Sequence, residues 1–219
     1  MDEKYIDNIL KWENEKNIII SASKIANKIK KDNFNKFYNC VIKATIQDVK
    51  KCKNITKNED LHMIIDKIGL DNDKLENFKE FVELLKFFHE KSGIYSTKWM
   101  DMVLEINSDN VADVIRYAKI LAFVFGNIPS SKFRKFYDYV LKVYENKNKN
   151  NWYVELYRLK LFIAYNIGKE TGKDKKEALR KFSKIFEKLI DKIDGNEEKF
   201  TNFKKFFEAV VAYHRAYND

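Results

Sequence analysis

Apolar residues recur along this chain at the three-to-four-residue spacing of amphipathic helices, and breaks rich in Asn, Gly and Ser separate the runs. About eleven helices follow from that pattern. In the first half they cover roughly 3–16, 22–31, 34–53, 58–68, 72–91 and 96–106. Residues 75–89 are apolar almost all round (Leu75, Phe78, Phe81, Val82, Leu84, Leu85, Phe88), which predicts a central helix. Ser108 reads as the N-cap of the next helix, with Asp109 and Asp113 near its positive end. Its stripe is Val111, Val114, Ile115, Ala118, Leu121, Ala122 and Phe125, and Gly126 is a natural stop.

Four further helices are expected after that stop. Pro129 suits the first turn of one, because its missing N–H would be unpaired there anyway. On it Phe133, Phe136, Tyr137, Val140 and Tyr144 share a face, Lys132, Lys135 and Lys142 oppose them, and Arg134 lies on the flank. The helix over about 151–168 has a core stripe of Trp152, Leu156, Leu159, Ile163 and Ile167. Arg158, Tyr165 and Lys169 line up on another of its faces beside Phe162. Stacking aromatics interleaved with phosphate-binding cations have this form, and so does a helix buried on two sides whose cations snorkel outward. The helix over 174–193 sets Leu179, Phe182, Ile185, Phe186, Leu189 and Ile193 against an i, i+4 row of Lys176, Arg180, Lys184, Lys188 and Lys192. A solvated face is the plain reading of that row. The terminal helix carries Phe203, Phe206, Phe207, Val210 and Tyr217, with His214 near the stripe.

Composition narrows the fold to all-α. Seventeen Phe and twelve Tyr within 45% hydrophobic residues exclude a disordered chain, while one proline and six glycines leave little for a turn-rich β fold. The expected division is an α-helical extension over 1–106 and a helical bundle over 107–219, with the boundary between Ser92-Gly93 and Asn107-Ser108. In the bundle Phe133, Phe136, Leu156, Ile163, Phe182, Phe186, Phe206 and Val210 should form the core. Cys40 and Cys52 are too few for a disulfide framework, which fits a reducing cytosol. The opening Met-Asp-Glu-Lys-Tyr lacks the features of a signal peptide, and no apolar run is long enough to cross a bilayer. A cytoplasmic protein without membrane partners is expected.

Charge adds a second division. Residues 107–219 carry 23 Lys and Arg against 15 Asp and Glu, whereas 1–106 carry 19 against 18, so nearly all of the +9 excess lies in the second half. A segregated excess suits phosphates or an acidic partner, and a lysine-rich proteome would produce it too. The candidate RNA-binding residues are Lys132, Arg134, Lys135, Arg158, Lys169 and Arg215, with Arg134 foremost for its paired donors.

Catalysis has little to stand on. His62, His89 and His214 are scattered without a helical metal-ligand partner, the Gly168-Lys169 and Gly172-Lys173 pairs lack a P-loop context, and carboxylates occur singly or in surface runs. No catalytic residue, metal or cofactor is expected. Two rivals remain. Ser21–Ile29 followed by Asn33–Lys50 reads like a DNA-binding helix-turn-helix, though the second helix spends Phe34, Phe37, Tyr38 and Val41 on packing. A protein-interaction scaffold for an acidic partner is the other.

The second half also resembles a known family. Ile128-Pro-Ser-Ser-Lys-Phe-Arg-Lys-Phe-Tyr137 with Val140 and Val143, then Leu159-Lys-Leu-Phe-Ile-Ala-Tyr165, then Phe206-Phe-Glu-Ala-Val-Val-Ala-Tyr-His214 are similar in order and spacing to the small subunit of type III-A CRISPR–Cas (Csm) effector complexes. The likeness covers about 107–219. It departs where Lys169 stands in place of the family's arginine, and where Phe162-Ile163 replace a basic residue before the tyrosine. The resemblance implies a non-catalytic helical bundle, present in several copies stacked along the guide RNA–target RNA duplex. It would hold the RNA backbone through basic residues and associate with the other subunits and with adjacent copies of itself.

Overall fold

The computed structural model describes residues 3–29, 31–89, 97–148 and 151–218. Among them are eleven α-helices, one 3-10 helix and no strand, so the fold is all-α. No helix among the described residues is long and apolar enough to cross a membrane. The chain divides into two compact units, Met1–Ile94 and Tyr95–Asp219.

The first unit holds α1 (Glu3–Lys11), α2 (Glu15–Ala26), α3 (Lys31–Lys43), the 3-10 helix (Val49–Ile55), α4 (Glu59–Ile68) and α5 (Asn72–His89). As the sequence predicts, α5 is central: α1 to α4 all pack on it, and Phe78, Phe81, Val82 and Leu85 are wholly buried. Two long helices expected from the sequence are broken. The run over 3–16 stops because Trp12 and Asn14 take left-handed backbone angles, φ 53° and 52°. Asn tolerates that region, and the Asn14 side chain then accepts from the N–H of Asn17 (3.3 Å) to start α2. As a result α2 opens at Glu15, ahead of the expected residue 22, and buries Ile18, Ile19, Ala22 and Ile25. The run over 34–53 ends at Lys43, turns, and resumes as the 3-10 helix. There Cys52 bonds Cys40 of α3, with a Cα–Cα separation of 5.8 Å. The two cysteines are too few for a framework but do make one bridge, which departs from the expected fit to a reducing compartment.

The second unit holds α6 (Thr97–Leu104), α7 (Val111–Val124), α8 (Ser130–Glu145), α9 (Trp152–Lys169), α10 (Lys173–Ile193) and α11 (Glu197–Asn218). Its core is a continuous aromatic cluster. Phe182 meets Phe136 (5.2 Å between ring centroids), Phe133 (5.4 Å), Phe125 (5.4 Å) and Phe186 (4.1 Å), and Phe186 meets Phe207 (4.6 Å). All eight core residues expected from the sequence are buried. Helix α7 opens two residues later than expected. Asn110 stands at its N-cap, and Asn107 and Asn110 exchange side-chain bonds across the preceding loop, where Ser108 was the expected cap.

Helix α6 belongs to this unit, although its residues read as part of the first half. Trp99 stacks on Tyr117 of α7 (5.6 Å) and meets Phe206 of α11 (6.0 Å). Asn202, buried on α11, donates to the carbonyl of Leu104 (3.0 Å). The packing of Trp99 outweighs the Asn107-Ser108 break that suggested a boundary there, and the Ser92-Gly93 end of that boundary lies outside the described residues. Phe206 is 1% exposed, so Phe206→Ala should destabilise the second unit by about 3–5 kcal/mol in chemical denaturation.

Candidate nucleic-acid interface

Helices α8 and α11 run antiparallel. Phe133 meets His214, Tyr137 meets Phe207, and Tyr144 meets Phe200, so α8 ascends as α11 descends. The α8–α9 pair is antiparallel too: Lys132 binds Glu170 (2.8 Å), Phe136 meets Phe162 (5.3 Å), and the Tyr139 hydroxyl donates to the carbonyl of Glu155 (3.0 Å). Helix α10 then returns along α9, where the Tyr157 hydroxyl donates to Asp191 (2.8 Å). This register gathers the start of α8, the end of α9, the start of α10 and the end of α11 at one end of the unit.

Five of the six sequence-predicted cations fall at that end. Lys132, Arg134 and Lys135 come from the first turns of α8, Lys169 closes α9, and Arg215 lies in the last turn of α11. Lys173, Lys175 and Lys176 of α10 join them, which the sequence reading did not include. The N-termini of α8 and α10 add their positive dipole ends. Asp138 and Asp174 supply counter-charge at this end, as does Glu170. Its carboxyl is held below the usual range, first by the hydrogen bond from Lys132 and then by the N–H of Gly172. Lys132 is therefore tied down, whereas Arg134 stays exposed with only a loose 3.9 Å approach to Asp138. Lys135 is exposed and has no ion pair among the described residues.

Arg158 is the one predicted cation away from this end. It sits 11 residues before Lys169 on α9, about 16 Å along the axis, paired with Glu155 at 2.7 Å. The outward face of α9 is more apolar than expected: Leu161 is 71% exposed and Tyr165 58%. Lys169 lies over the Tyr165 ring at 4.4 Å, so a cation and an aromatic do share this face. Phe162 leaves it, turning inward to pack on Phe136 and Tyr139. The sequence signal for the apolar face was Leu161, an apolar residue lying off the core stripe.

A second cation cluster lies at the far end of α8 and was missed. Lys147 (5.0 Å) and Lys204 (5.6 Å) approach the Tyr144 ring. The Tyr144 hydroxyl is pushed below its ordinary range, first by a hydrogen bond with Thr201 and also by Lys147, Lys204 and Lys205. The run Lys204-Lys205-Phe206 was the available clue. By contrast, His214 is a packed histidine. It is 1% exposed, stacked on Phe133 (4.5 Å), with Nε2 3.1 Å from the carbonyl oxygen of Phe125. Among the described residues no group of three or more His, Cys, Asp or Glu side chains is placed to hold a metal ion.

A family model described as Csm2 Type III-A matches residues 108–219, just over half of the chain. That span takes in α7 to α11 and leaves out α6 and the whole first unit. No curated protein and no solved structure matches the chain.

Tyr137 gives the α8–α11 seam a pH signature. Burial, with Glu208 beside it, pushes its hydroxyl up to about 12. The unfolded chain gives up that proton near pH 10 and the folded one near 12, so this contribution to stability is intact below pH 10 and is lost as pH rises through 12. Tyr137→Phe should flatten the fall in unfolding free energy across that window, measured by denaturant titration at several alkaline pH values.

Proposed function

The chain belongs to the Csm2 Type III-A family, and from that premise we propose that it is the non-catalytic small subunit of a type III-A CRISPR effector complex. It works in the cytoplasm, binds the target-RNA backbone through basic residues, and stacks in several copies along the guide–target duplex. The observation that supports this most is the convergence of Lys132, Arg134, Lys135, Lys169 and Arg215 from three helices onto one end of the second unit. Scattered surface lysines would show no such grouping. Phosphates spaced along a strand are suited to several cations held at fixed separations, and a guanidinium such as Arg134 can bind two phosphate oxygens at once.

The outward face of α9 suits the second half of the reading. Leu161 and Tyr165 offer apolar area to a neighbouring copy or another subunit, while Arg158 and Lys169 flank them. The DNA-binding alternative draws less support. On α3, Phe34, Phe37 and Val41 are buried against the unit's own core, which leaves only the opposite face of that helix to meet a groove. Arg158 pairs with Glu155 at an exposed position, a contact weak enough to yield to a phosphate.

The test is a double substitution. Arg134→Ala with Arg158→Ala should keep the circular dichroism spectrum, because both side chains are exposed, and should weaken capture of single-stranded RNA. For the unaltered protein, four to six phosphate contacts give a slope of log K against log salt of roughly −3 to −4. Binding unaffected by salt would overturn the reading. A double variant that binds RNA normally but drops out of the effector complex would reassign these arginines to subunit contacts.

A further inference from the structure

The first unit is nearly neutral as a whole, but its charge is unevenly placed. Residues 33–57 carry six lysines (36, 43, 50, 51, 53 and 57) against the single carboxylate of Asp48. The rest of residues 1–94 carry twelve lysines against fifteen carboxylates, so the segment's net of +5 and the remainder's −3 give the unit's +2. From this segment we propose that the α3 and 3-10 face of the first unit is a second binding surface for single-stranded nucleic acid, gripping the phosphate backbone. It stands on the first unit alone and is independent of the reading of the second.

The geometry turns a sequence run into a surface. On α3, Phe34, Phe37 and Val41 face the core, which puts Asn35, Lys36, Asn39 and Lys43 on the opposite, exposed side. Lys36 and Lys43 are seven residues apart, about 10 Å along the helix. Cys40 lies between them and bonds Cys52, so Lys50 and Lys51 of the 3-10 helix are drawn alongside. Burial of Val49 and Cys52 holds that helix down independently of the bridge. Nε2 of His62 fixes its far end, 2.9 Å and 2.7 Å from the carbonyl oxygens of Lys53 and Thr56.

Pairing leaves a surplus. Asp48 is taken up by Lys51 (2.5 Å) and Thr45, and the Lys51 hydrogen bond is the main cause of its lowered carboxyl range. Lys53 is taken up by Asp66 (2.7 Å). Lys36, Lys43, Lys50 and Lys57 are exposed and have no ion pair among the described residues. Beside Lys57 opens a cleft of about 490 Å³ lined by Lys28, Asn33, Lys57, Asn58, Glu59 and Asp60; Asp60 is taken up by Lys28 (3.4 Å), and the side-chain amides of Asn33 and Asn58 can meet base edges. Exposed cations, interleaved amides and a base-sized cleft favour nucleic acid over an acidic protein. A single strand offers its phosphates and its unstacked base edges together, which suits exposed lysines beside the cleft's amides.

The experiment uses the full chain and fluorescent oligo(U) and oligo(dT) of equal length, titrated by anisotropy across salt. In the variant Lys36→Gln, Lys43→Gln, Lys50→Gln and Lys57→Gln, four phosphate contacts are lost, so the salt slope should shrink by roughly 3. Between 50 and 200 mM salt the unaltered protein should then lose about 50-fold more affinity than the variant. The Arg134→Ala, Arg158→Ala protein, measured in parallel, reports on the second unit separately. Unchanged slopes in a folded quadruple variant would overturn the proposal, and loss of effector-complex assembly with unchanged slopes would hand the surface to a protein partner. Photocrosslinking of the unaltered chain to 4-thiouridine RNA gives a check that needs no variant. Adducts on peptides within 33–57 are expected, and adducts confined to the second unit would refute it. Equal effects on oligo(U) and oligo(dT) would show that the backbone alone is held.

Discussion

The second unit depends on one contact set, the cluster of Phe125, Phe133, Phe136, Phe182, Phe186 and Phe207. The rings come from the C-cap of α7 and from α8, α10 and α11, and together they link these elements. Most pairs meet edge to face or tilted, the arrangement that sets a ring's positive edge against its neighbour's negative face. Interlocked rings tolerate little sliding, so they fix the register of antiparallel helices as well as their proximity. That register brings the start of α8, the end of α9 and the end of α11 to one place. The cations there owe their grouping to phenylalanines they do not touch.

Electrostatics follows from the same constraint. Where carboxylates lie within reach, as with Glu170 and Lys132 or Asp191 and Lys160, the pairs brace neighbouring helices. Where the helix ends are short of carboxylates, the charge is left over. Exposed pairs of this kind are individually weak, so removing them shifts the surface potential more than the stability. Both units divide their lysines in this way between bracing and surplus.

Much of this was legible in the amino-acid pattern. Although Trp152 and Ile167 at the ends of the α9 stripe are only half-buried and Val111 is exposed, the centres of the stripes on α8, α9 and α10, the central α5 and the eight core residues from Phe133 to Val210 followed from periodicity. The breaks at Trp12–Asn14 and after Lys43 did not, since the apolar spacing continues across both and only backbone angles and the Cys40–Cys52 bridge interrupt it. The predicted cations of α8 and α11 were found at one end, but their company from Lys173, Lys175 and Lys176 required the register of α10. Phe162 was misjudged for a related reason: a ring at the margin of a stripe is claimed by whichever neighbour packs there, here α8. Summing charge over half the chain also concealed the uneven first unit.

Asn202 gives the family boundary a practical meaning. Its amide, buried on α11, finds its acceptor at Leu104 on α6, four residues before the matched span begins. A fragment cut at the homologous limits would leave that donor without its partner in an apolar setting and strip the Trp99 ring from Phe206. The self-sufficient piece of this protein therefore begins ahead of Thr97, because α6 closes the core that the matched helices build.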